Sequence, residues 1–453
     1  MKNFEFQIQD EEGSALASVL IIIVIVSLFI GVVLSGMYVQ NQFIQQDIDE
    51  VKARYAAEAG IASFLSEFRH SAITRDTPLT IPVHDNTQVT INAKPFGGFL
   101  DVESIAEVRG KEKKIRVLAG ALKTDLFEYG VVLGDTSSVL MLTGSTQLKG
   151  GILTGQIGTR TTDFKGVSFS GRLEGEQTQQ SGPLLPNFNT NFIQNQEELI
   201  NNSFQKGLWN SFDSSYNGLG NSNAEAEDTL FFDGNVSWSS RDSISFPKDV
   251  TIAVNGNMTL NGNYYFGAFT KLLVRDTLRV GGSISGEHVL MYAGQSLQVG
   301  GGAQLSAQAL SGGEIIIRDN AYLNYPSMIY TDQELSPDRQ EIIIDIRDNA
   351  KVDGTVVYPV STTNFTSGLF RVRVSDQAVV RGGIYTLGQT ELEGTVLGSV
   401  LTQQFYFYES PSSYINWLKD AEIDFSGRPE NYVVPLGFSE HPEYQILDWA
   451  EVQ

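Results

Sequence analysis

An uncharged stretch near the start of the chain restricts the possible folds more than any other feature. Residues 14–46 contain no Asp, Glu, Lys or Arg, and the apolar centre runs from Ala15 to Val39. A helix needs about 20 apolar residues to cross a bilayer, whereas a secretory signal peptide has only ~7–15 apolar residues after a basic start. Residues 1–13 carry Lys2 as their one basic residue. The stretch therefore predicts a transmembrane helix.

The helix is expected to continue beyond the membrane. Apolar residues recur at steps of four, three, four, four and three, which places them on one helical stripe. No proline occurs before Pro78. We therefore expect one helix over residues 14–70, ending near His70, membrane-buried in its first half and amphipathic in its second. The stripe consists of Ile44, Ile48, Val51, Tyr55, Ala59 and Ala62.

Two segments of this region resemble the amino-terminal part of PilX-type minor pilins, to which the type II secretion pseudopilin GspK is related. Residues 11–16, Glu-Glu-Gly-Ser-Ala-Leu, resemble a prepilin leader that ends in glycine, and residues 56–61 resemble the family's AAEAG segment. The resemblance implies a leader over residues 1–13, cleavage after Gly13 by a prepilin peptidase, and methylation of Ser14. It also marks an assembly motif of the helix, formed by Ser18, Ala57, Glu58, Ala59 and Gly60.

The segment also departs from the family pattern. Major pilins carry Glu at the fifth mature position, where it pairs with the amino terminus of a neighbouring subunit, and this chain has Ser18 there. The difference argues against a bulk filament subunit and suits a tip subunit, which has no neighbour above it. The leader is acidic where the family's leaders usually end in a basic residue. A plain single-pass anchor with a juxtamembrane helix is the alternative interpretation of residues 14–70.

The next part of the chain, residues 71–122, predicts a small β connector packed on the helix. Residues 79–83 and 87–93 alternate in the way that half-buried strands do. Glycines at positions 97, 98 and 110 predict turns between further strands.

A repeated turn formula over residues 123–405 predicts a β-helix, or β-solenoid. Its period is near 20 residues with variable insertions, which is typical of stacked solenoid coils. Asp, Asn and Gly tolerate the turn conformations, and the flanking apolar residues fill the interior. A β-sandwich is the rival fold but does not readily explain one repeated formula. The turn residues, separated by 20, 18, 25, 29 and 28 positions, are Gly256, Asp276, Gly294, Asp319, Asp348 and Asp376.

Two regions interrupt or follow this pattern. Residues 176–228 are rich in Asn, Ser, Gln and Gly and predict a surface insertion with a short helix over residues 196–209. The insertion is either a recognition loop or a variable excursion.

Residues 406–453 predict a cap over the open end of the solenoid, including a helix from Ser412 to Lys419. A ligand-binding aromatic patch is the alternative for this tail.

The composition indicates no catalytic site. The net charge of −22 argues against nucleic acid as a partner, and the absence of cysteine excludes disulfides and thiolate metal sites. The sequence lacks HExxH, P-loop and GxSxG motifs. We therefore predict no catalytic residue, no metal ligand and no cofactor. The scattered histidines are His70, His84, His288 and His441.

Three acids at equivalent repeat positions offer an alternative. Stacked on one side of a solenoid, Asp319, Asp348 and Asp376 could bind Ca²⁺ or serve acid–base chemistry. Their turn context and the neighbouring Arg318 and Arg347 favour solvated turn residues instead.

Taken with the resemblance, these features predict a mainly β protein with one long amino-terminal helix, acting as a minor pilin-like or pseudopilin-like subunit. Its expected partners are other pilins or pseudopilins, a prepilin peptidase, and the membrane through residues 15–39. The expected location is the bacterial inner membrane, with most of the chain outside the cytoplasm, or a surface filament. A membrane-anchored β-helix adhesin and an anchored polysaccharide-active enzyme are the alternatives.

Overall fold

The structure, a computed structural model, is mainly β with one long amino-terminal helix, which confirms the predicted fold class. The helix α1 spans Glu11–Glu67, so its predicted end near His70 lies outside the described residues. Short 3₁₀ helices lie at Asp125–Glu128, Phe425–Gly427 and Leu436–Phe438. The described residues are 11–67, 78–83, 87–122, 124–182, 184–191, 193, 229–333, 341–361, 370–439 and 443–452.

A small antiparallel sheet packs on the second half of α1. Its first strands, each paired with the next, are β1 (Leu79–Pro82), β2 (Gln88–Phe96), β3 (Phe99–Val108) and β4 (Lys111–Leu122). Side chains alternate between the two faces of a strand. On β3, buried Val102, Ser104 and Ala106 occupy one face, and the Ser104 hydroxyl donates to the carbonyl oxygen of Ala57 in α1 at 2.8 Å.

A β-solenoid follows the small sheet. Its first strands are β5 (Val131–Leu133), β6 (Leu140–Thr143), β7 (Gln147–Lys149), β8 (Ile152–Thr154), β9 (Thr159–Thr161), β10 (Arg172–Glu174) and β11 (Gln177–Gln179). The longer run is β12 (Thr229–Asp233), β13 (Val236–Phe246), β14 (Thr251–Asn255), β15 (Met258–Phe266), β16 (Lys271–Val274), β17 (Thr277–Gly281), β18 (Ile284–Ala293), β19 (Ser296–Val299), β20 (Gln304–Ser311), β21 (Glu314–Ile317), β22 (Tyr322–Thr331), β23 (Glu341–Ile346), β24 (Lys351–Tyr358), β25 (Phe370–Val374), β26 (Val379–Leu392) and β27 (Thr395–Glu409).

Parallel pairing between successive coils defines the solenoid and separates it from a β-sandwich. β12 pairs with β14, and β14 in turn pairs with β16, so the chain winds round and returns one rung further on. One ladder passes through every rung, and with about 4.8 Å between strands it is about 50 Å long. It consists of Leu230, Ile252, Leu272, Met291, Ala309, Ile329, Val356, Ile384, Val400, Val131, Ile152 and Gln177.

The repeated Asp-Asn turns lie at the corners of the coils. Asp319 and Asn320 have φ of 54° and 60°, and Asp348 and Asn349 have the same values. Asn and Asp tolerate this left-handed conformation better than other residues with a side chain. The Asn349 side-chain amide donates to the Asn320 side-chain oxygen at 3.3 Å. The predicted formula therefore marks where the chain changes direction.

The order of the coils in space differs from their order in the sequence. β5 stacks on β27, at the far end of the long run, with Val131 beside Val400. The remaining strands are β28 (Ser412–Ile415), β29 (Trp417–Lys419), β30 (Glu422–Asp424), β31 (Val433–Val434) and β32 (Tyr444–Val452). β30 lies between β27 and β7, and β29 pairs with β6. One rung is therefore shared by residues before and after the long run.

The helix predicted from Ser412 to Lys419 is wrong. β28 pairs antiparallel with β27, and β29 pairs in parallel with β6. Apolar spacing in a short segment does not distinguish a helix from strands that gain partners far away in the sequence. The tail predicted as a cap is divided, because β29 and β30 join the solenoid whereas β31 and β32 pair with β4 of the small sheet.

The small sheet lies between α1 and one face of the solenoid. Phe96 and Phe269 meet edge to face across this contact, with ring centroids 5.4 Å apart. Residues that alternate with the interior ladder point outward on this face and bury their side chains against the sheet. We call this ladder the sheet-facing side; it consists of Phe231, Ala253, Leu273, Tyr292, Leu310, Tyr330, Val357, Tyr385, Leu401, Val132 and Leu153.

A charged network joins the small sheet to the solenoid. Arg116 of β4 donates to both carboxylate oxygens of Asp101, at 2.7 and 2.6 Å, and also to Asp249 of the solenoid. Its guanidinium lies 3.6 Å from the ring centroid of Phe269. Burial opposes the charge of Arg116, but the two carboxylates outweigh it and raise its pKa. The buried positive charge of Arg116 is therefore balanced by a carboxylate from the small sheet and one from the solenoid.

The segment after β11 enters the same contact. Phe188 packs between Tyr330 and Phe438, with centroid distances of 5.8 and 4.9 Å, and the Asn189 amide donates to the Gly437 carbonyl at 2.7 Å. Leu184, Phe188 and Ile193 therefore belong to the core between solenoid and sheet, which corrects the prediction of a surface insertion for these residues. The helix predicted over residues 196–209 lies outside the described residues.

Acid is expected to weaken the attachment of β32. His288 Nε2 lies 2.7 Å from Asp448 Oδ2, and this hydrogen bond holds the pKa of Asp448 below its ordinary value of 3.8. A carboxylate with a depressed pKa stabilises the fold above the unfolded value and loses that contribution as the pH falls through the folded value.

The test compares wild type with Asp448→Asn. Because the Asp448 side chain is half exposed, we expect a difference in unfolding free energy of about 1 kcal/mol or less at pH 6, vanishing near pH 2. Thermal unfolding at both pH values measures it, with the exposed Glu107→Gln as control. An unchanged difference at pH 2 would contradict the assignment.

Candidate functional site

The amino-terminal half of α1 is a candidate membrane segment. The helix is long and apolar enough to span a membrane: within Leu16–Ser66, an 18-residue window has a mean hydropathy of 3.2, and none of that window is buried in the fold. Gly13 and Ser14, the predicted processing residues, lie in the first turn of α1, and Ser18 lies two turns from its start. The membrane segment projects away from the sheet and solenoid.

The second half of α1 sits on the sheet through a side made largely of small residues. Ala53, Ala57 and Gly60 are buried, and Ile61 and Phe64 complete this side. A Cβ at Gly60 would lie 2.6 Å from Cγ1 of Val89 in β2. The helix backbone and the strand are therefore too close for any side chain at this position.

This packing gives a physical reason for the AAEAG segment. The Ala57 carbonyl accepts the hydrogen bond from Ser104, and Gly60 has no room for a side chain against β2. Glu58 forms an ion pair with Arg54 one turn earlier, at 3.2 Å, and Ala59 is exposed. The structure thus brings Ala57 and Gly60 to the sheet. Glu58 lies at the margin of the sheet, Ala59 is exposed, and Ser18 lies far away in the apolar half of the helix.

The opposite side of α1 carries the apolar stripe found in the sequence. Ile44, Ile48, Val51 and Tyr55 are between 43% and 65% exposed, and Ala59 and Ala62 are exposed as well. We call these six residues the exposed stripe. At 3.6 residues per turn they lie about half a turn from the sheet-contacting side. Apolar side chains that continue from a membrane segment without cover indicate an interaction surface.

Polar contacts fix the helix at the hairpin between β3 and β4. Asp49 is 6% exposed, accepts from the Gln45 side chain at 3.0 Å, and lies 3.8 Å from Nη1 of Arg109 at the hairpin turn. Lys113 contacts Glu50 of the helix and Glu451 of β32, and these hydrogen bonds raise its pKa. The helix, the hairpin and the carboxyl-terminal strand therefore meet at one level.

The acids considered for catalysis or Ca²⁺ binding do not form a cluster. Asp319 and Asp348 have side chains 55% and 54% exposed, and their contacts are with the adjacent Arg318 at 3.4 Å and Arg347 at 3.5 Å. Asp376 is exposed at the next corner. In the described ranges, no group of three or more His, Asp or Glu side chains could hold a metal ion.

His288 is buried at the contact between the solenoid and β32. Its Nε2 pairs with Asp448, and its backbone amide donates to Ser306 Oγ at 2.7 Å. The contact with Asp448 helps to hold β32 against the solenoid. The other three histidines lie outside the described residues.

Comparison with known proteins found a likeness among the solved structures. No protein-family model matches the chain, and no curated protein sequence matches it. The chain is similar to the competence-associated pilin ComZ from Thermus thermophilus, known from its crystal structure, with 12% identity over 89% of this chain and 97% of that one. The TM-score is 0.20. With a value this low, the match supports no statement about this chain, and the proposals below rest on its own geometry.

Proposed function

We propose that this protein is a minor type IV pilin-like or pseudopilin-like subunit, which assembles through α1 and displays the solenoid outside the cell. One observation carries the proposal. One side of α1 packs on an antiparallel sheet, and the exposed stripe on its other side follows an apolar segment long enough to span a membrane.

The occupant we propose for the exposed stripe is the helix of a neighbouring pilin or pseudopilin. Tyr55 and Val51 lie beyond the membrane segment, so lipid cannot cover the whole stripe, and apolar helix sides commonly pack against other helices. Between Met37 and Ala62 this side of the helix is apolar except at Asn41. A neighbouring helix could therefore cover both the membrane segment and the stripe.

The proposal includes processing and placement. The leader at residues 1–13 would be removed by a prepilin peptidase after Gly13, and Ser14 would become the methylated amino terminus. Ser18 cannot form the ion pair of a bulk subunit, which supports a place at the filament tip. The layer order of helix, sheet and solenoid would put the solenoid on the outside of the assembly. From the inner membrane, such a subunit would serve priming, adhesion or secretion.

Mass spectrometry of the native amino terminus tests this function. We expect a peptide that begins at methylated Ser14 when the protein is produced in cells with an active prepilin peptidase. The control is Gly13→Leu, which should retain the leader. A retained leader on the wild-type protein in such cells would reject the pilin-like function and leave a fixed, anchored β-helix adhesin as the better account.

A further inference from the structure

The solenoid has a groove on a face other than the sheet-facing side. Strands β15, β17 and β19 lie side by side there and bring Thr259, Arg279 and Gln298 into one outward row. The groove has a volume of about 290 Å³, and Arg318 and Asp319 also line it. Because α1 and the small sheet pack on another face, this groove remains accessible in the proposed assembly.

Glycines make the groove. Gly281 lies at the end of β17, and a Cβ built there would meet nothing closer than the Leu260 carbonyl oxygen at 3.7 Å. The next corners along the solenoid carry Asp319-Asn320 and Asp348-Asn349 in place of glycine. The groove therefore lies at the corner where Gly281 and Gly300 occupy successive rungs, and the space beside Gly281 is open to a ligand.

The lining has the hydrogen-bonding groups and the charge to hold an acidic sugar. Asn261 and Gln298 supply amides that can both donate and accept, and Thr259 supplies a hydroxyl. The Arg279 side chain is exposed, and within the described residues its guanidinium forms no ion pair. A guanidinium binds a carboxylate or sulfate through two parallel hydrogen bonds.

We propose that this groove binds an acidic polysaccharide, with Arg279 on the anionic group and the amides on the hydroxyls. The row repeats once per rung, and the spacing of about 4.8 Å between rungs is close to the length of one pyranose unit in an extended chain. The inference goes beyond the pilin-like function and would hold equally for a fixed anchor.

Nucleic acid fits the groove less well. Binding of single strands relies on aromatic side chains for base stacking, and the lining of this groove contains none. A polysaccharide matches the lining better, because its hydroxyls can bond with the amides of Asn261 and Gln298 and with the hydroxyl of Thr259.

Titration of the full chain in detergent micelles with oligogalacturonate tests the proposal. Dextran serves as the neutral probe and duplex DNA as the phosphate probe. Removing a charged hydrogen bond typically costs enough free energy to weaken binding by about tenfold or more, so Arg279→Gln should show at least that loss. Gly281→Leu should fill the groove and abolish binding without changing the melting temperature.

The matched control is Arg160→Gln, which makes the same charge change at an exposed arginine on β9. Binding of oligogalacturonate that survives Arg160→Gln but not Arg279→Gln or Gly281→Leu would support the site. No binding of wild type to oligogalacturonate or to chondroitin sulfate would overturn it. Equal losses in all three variants, or equally tight binding of dextran or DNA, would overturn it as well.

Discussion

Replacing Gly382 by alanine is expected to destabilise the solenoid severely. Gly382 lies near the start of β26, with a φ of 137° that side chains disfavour. Gly354 and Gly398 are its direct neighbours on the adjacent strands. A Cβ at Gly382 would lie 2.1 Å from the carbonyl oxygen of Gly354 and 2.8 Å from the Tyr432 ring.

The backbone cannot relieve this collision locally. The Gly354 carbonyl belongs to a paired parallel strand, so moving it disturbs the rungs on both sides. Overpacking and a forbidden φ act together here, and we expect a loss of about 3 kcal/mol in the free energy of unfolding. Thermal and urea unfolding of the purified protein, followed by far-ultraviolet circular dichroism, would measure it.

A second glycine in the same solenoid provides the control. Gly281 has no positive φ and has room for a methyl group, so Gly281→Ala should change the unfolding free energy by less than about 1 kcal/mol. If Gly382→Ala and Gly281→Ala melted alike, the stacked glycine corner would not be a structural requirement and the close rung contact would be wrong.

The sequence predicts the solenoid because its corners have a local chemical cause. Asp319-Asn320 and Asp348-Asn349 adopt the left-handed turns that their residue types tolerate, and that constraint is visible without a structure. The long apolar helix is predictable for the same kind of reason, since an uncharged run of this length is typical of a membrane-spanning segment. In both cases the determining interaction is within a few residues of the chain.

The order of the coils could not be predicted, because long-range contacts determine it. Val131 stacks on Val400, and Leu142 pairs with Leu418, although the partners are more than half the chain apart. In each strand, inward-facing apolar residues alternate with outward-facing ones as in any solenoid strand. The sequence of a strand therefore does not indicate which strand it pairs with. The shared rung joins the first and last coils in the sequence. The fold therefore depends on contacts between chain segments that are far apart in the sequence.

In the second half of α1, the hydrophobic pattern identifies the exposed stripe and misses the side that packs on the sheet. The apolar stripe was predicted as an amphipathic face, and hydrophobicity alone gives no sign that the sheet takes the opposite side. Ala53, Ala57 and Gly60 form that opposite contact, and small residues contribute little to a hydrophobic pattern. The signal that could have found the contact is the spacing of small residues, at steps of four and three.

Two lysines in the exposed stripe are expected to prevent assembly while leaving the fold intact. Ile48 and Val51 are 43% and 50% exposed in the single chain, so Ile48→Lys with Val51→Lys should change the melting temperature little. In an assembled filament these positions would face a neighbouring helix, where an unpaired charge is costly to bury. We therefore expect the doubly substituted subunit to fall at least about tenfold in the sheared filament fraction, since each buried charge costs several kcal/mol.

The matched control keeps the chemistry of the stripe and changes only its shape. Ile48→Leu with Val51→Ile should assemble as wild type does, because apolar exchanges of similar volume are well tolerated. Immunoblots of sheared filaments and of membranes would show where each variant accumulates. Normal assembly of the lysine variant would mean that the stripe faces solvent or lipid headgroups, and the proposed helix-to-helix contact would have to be abandoned even if Ser14 proved to be the mature amino terminus.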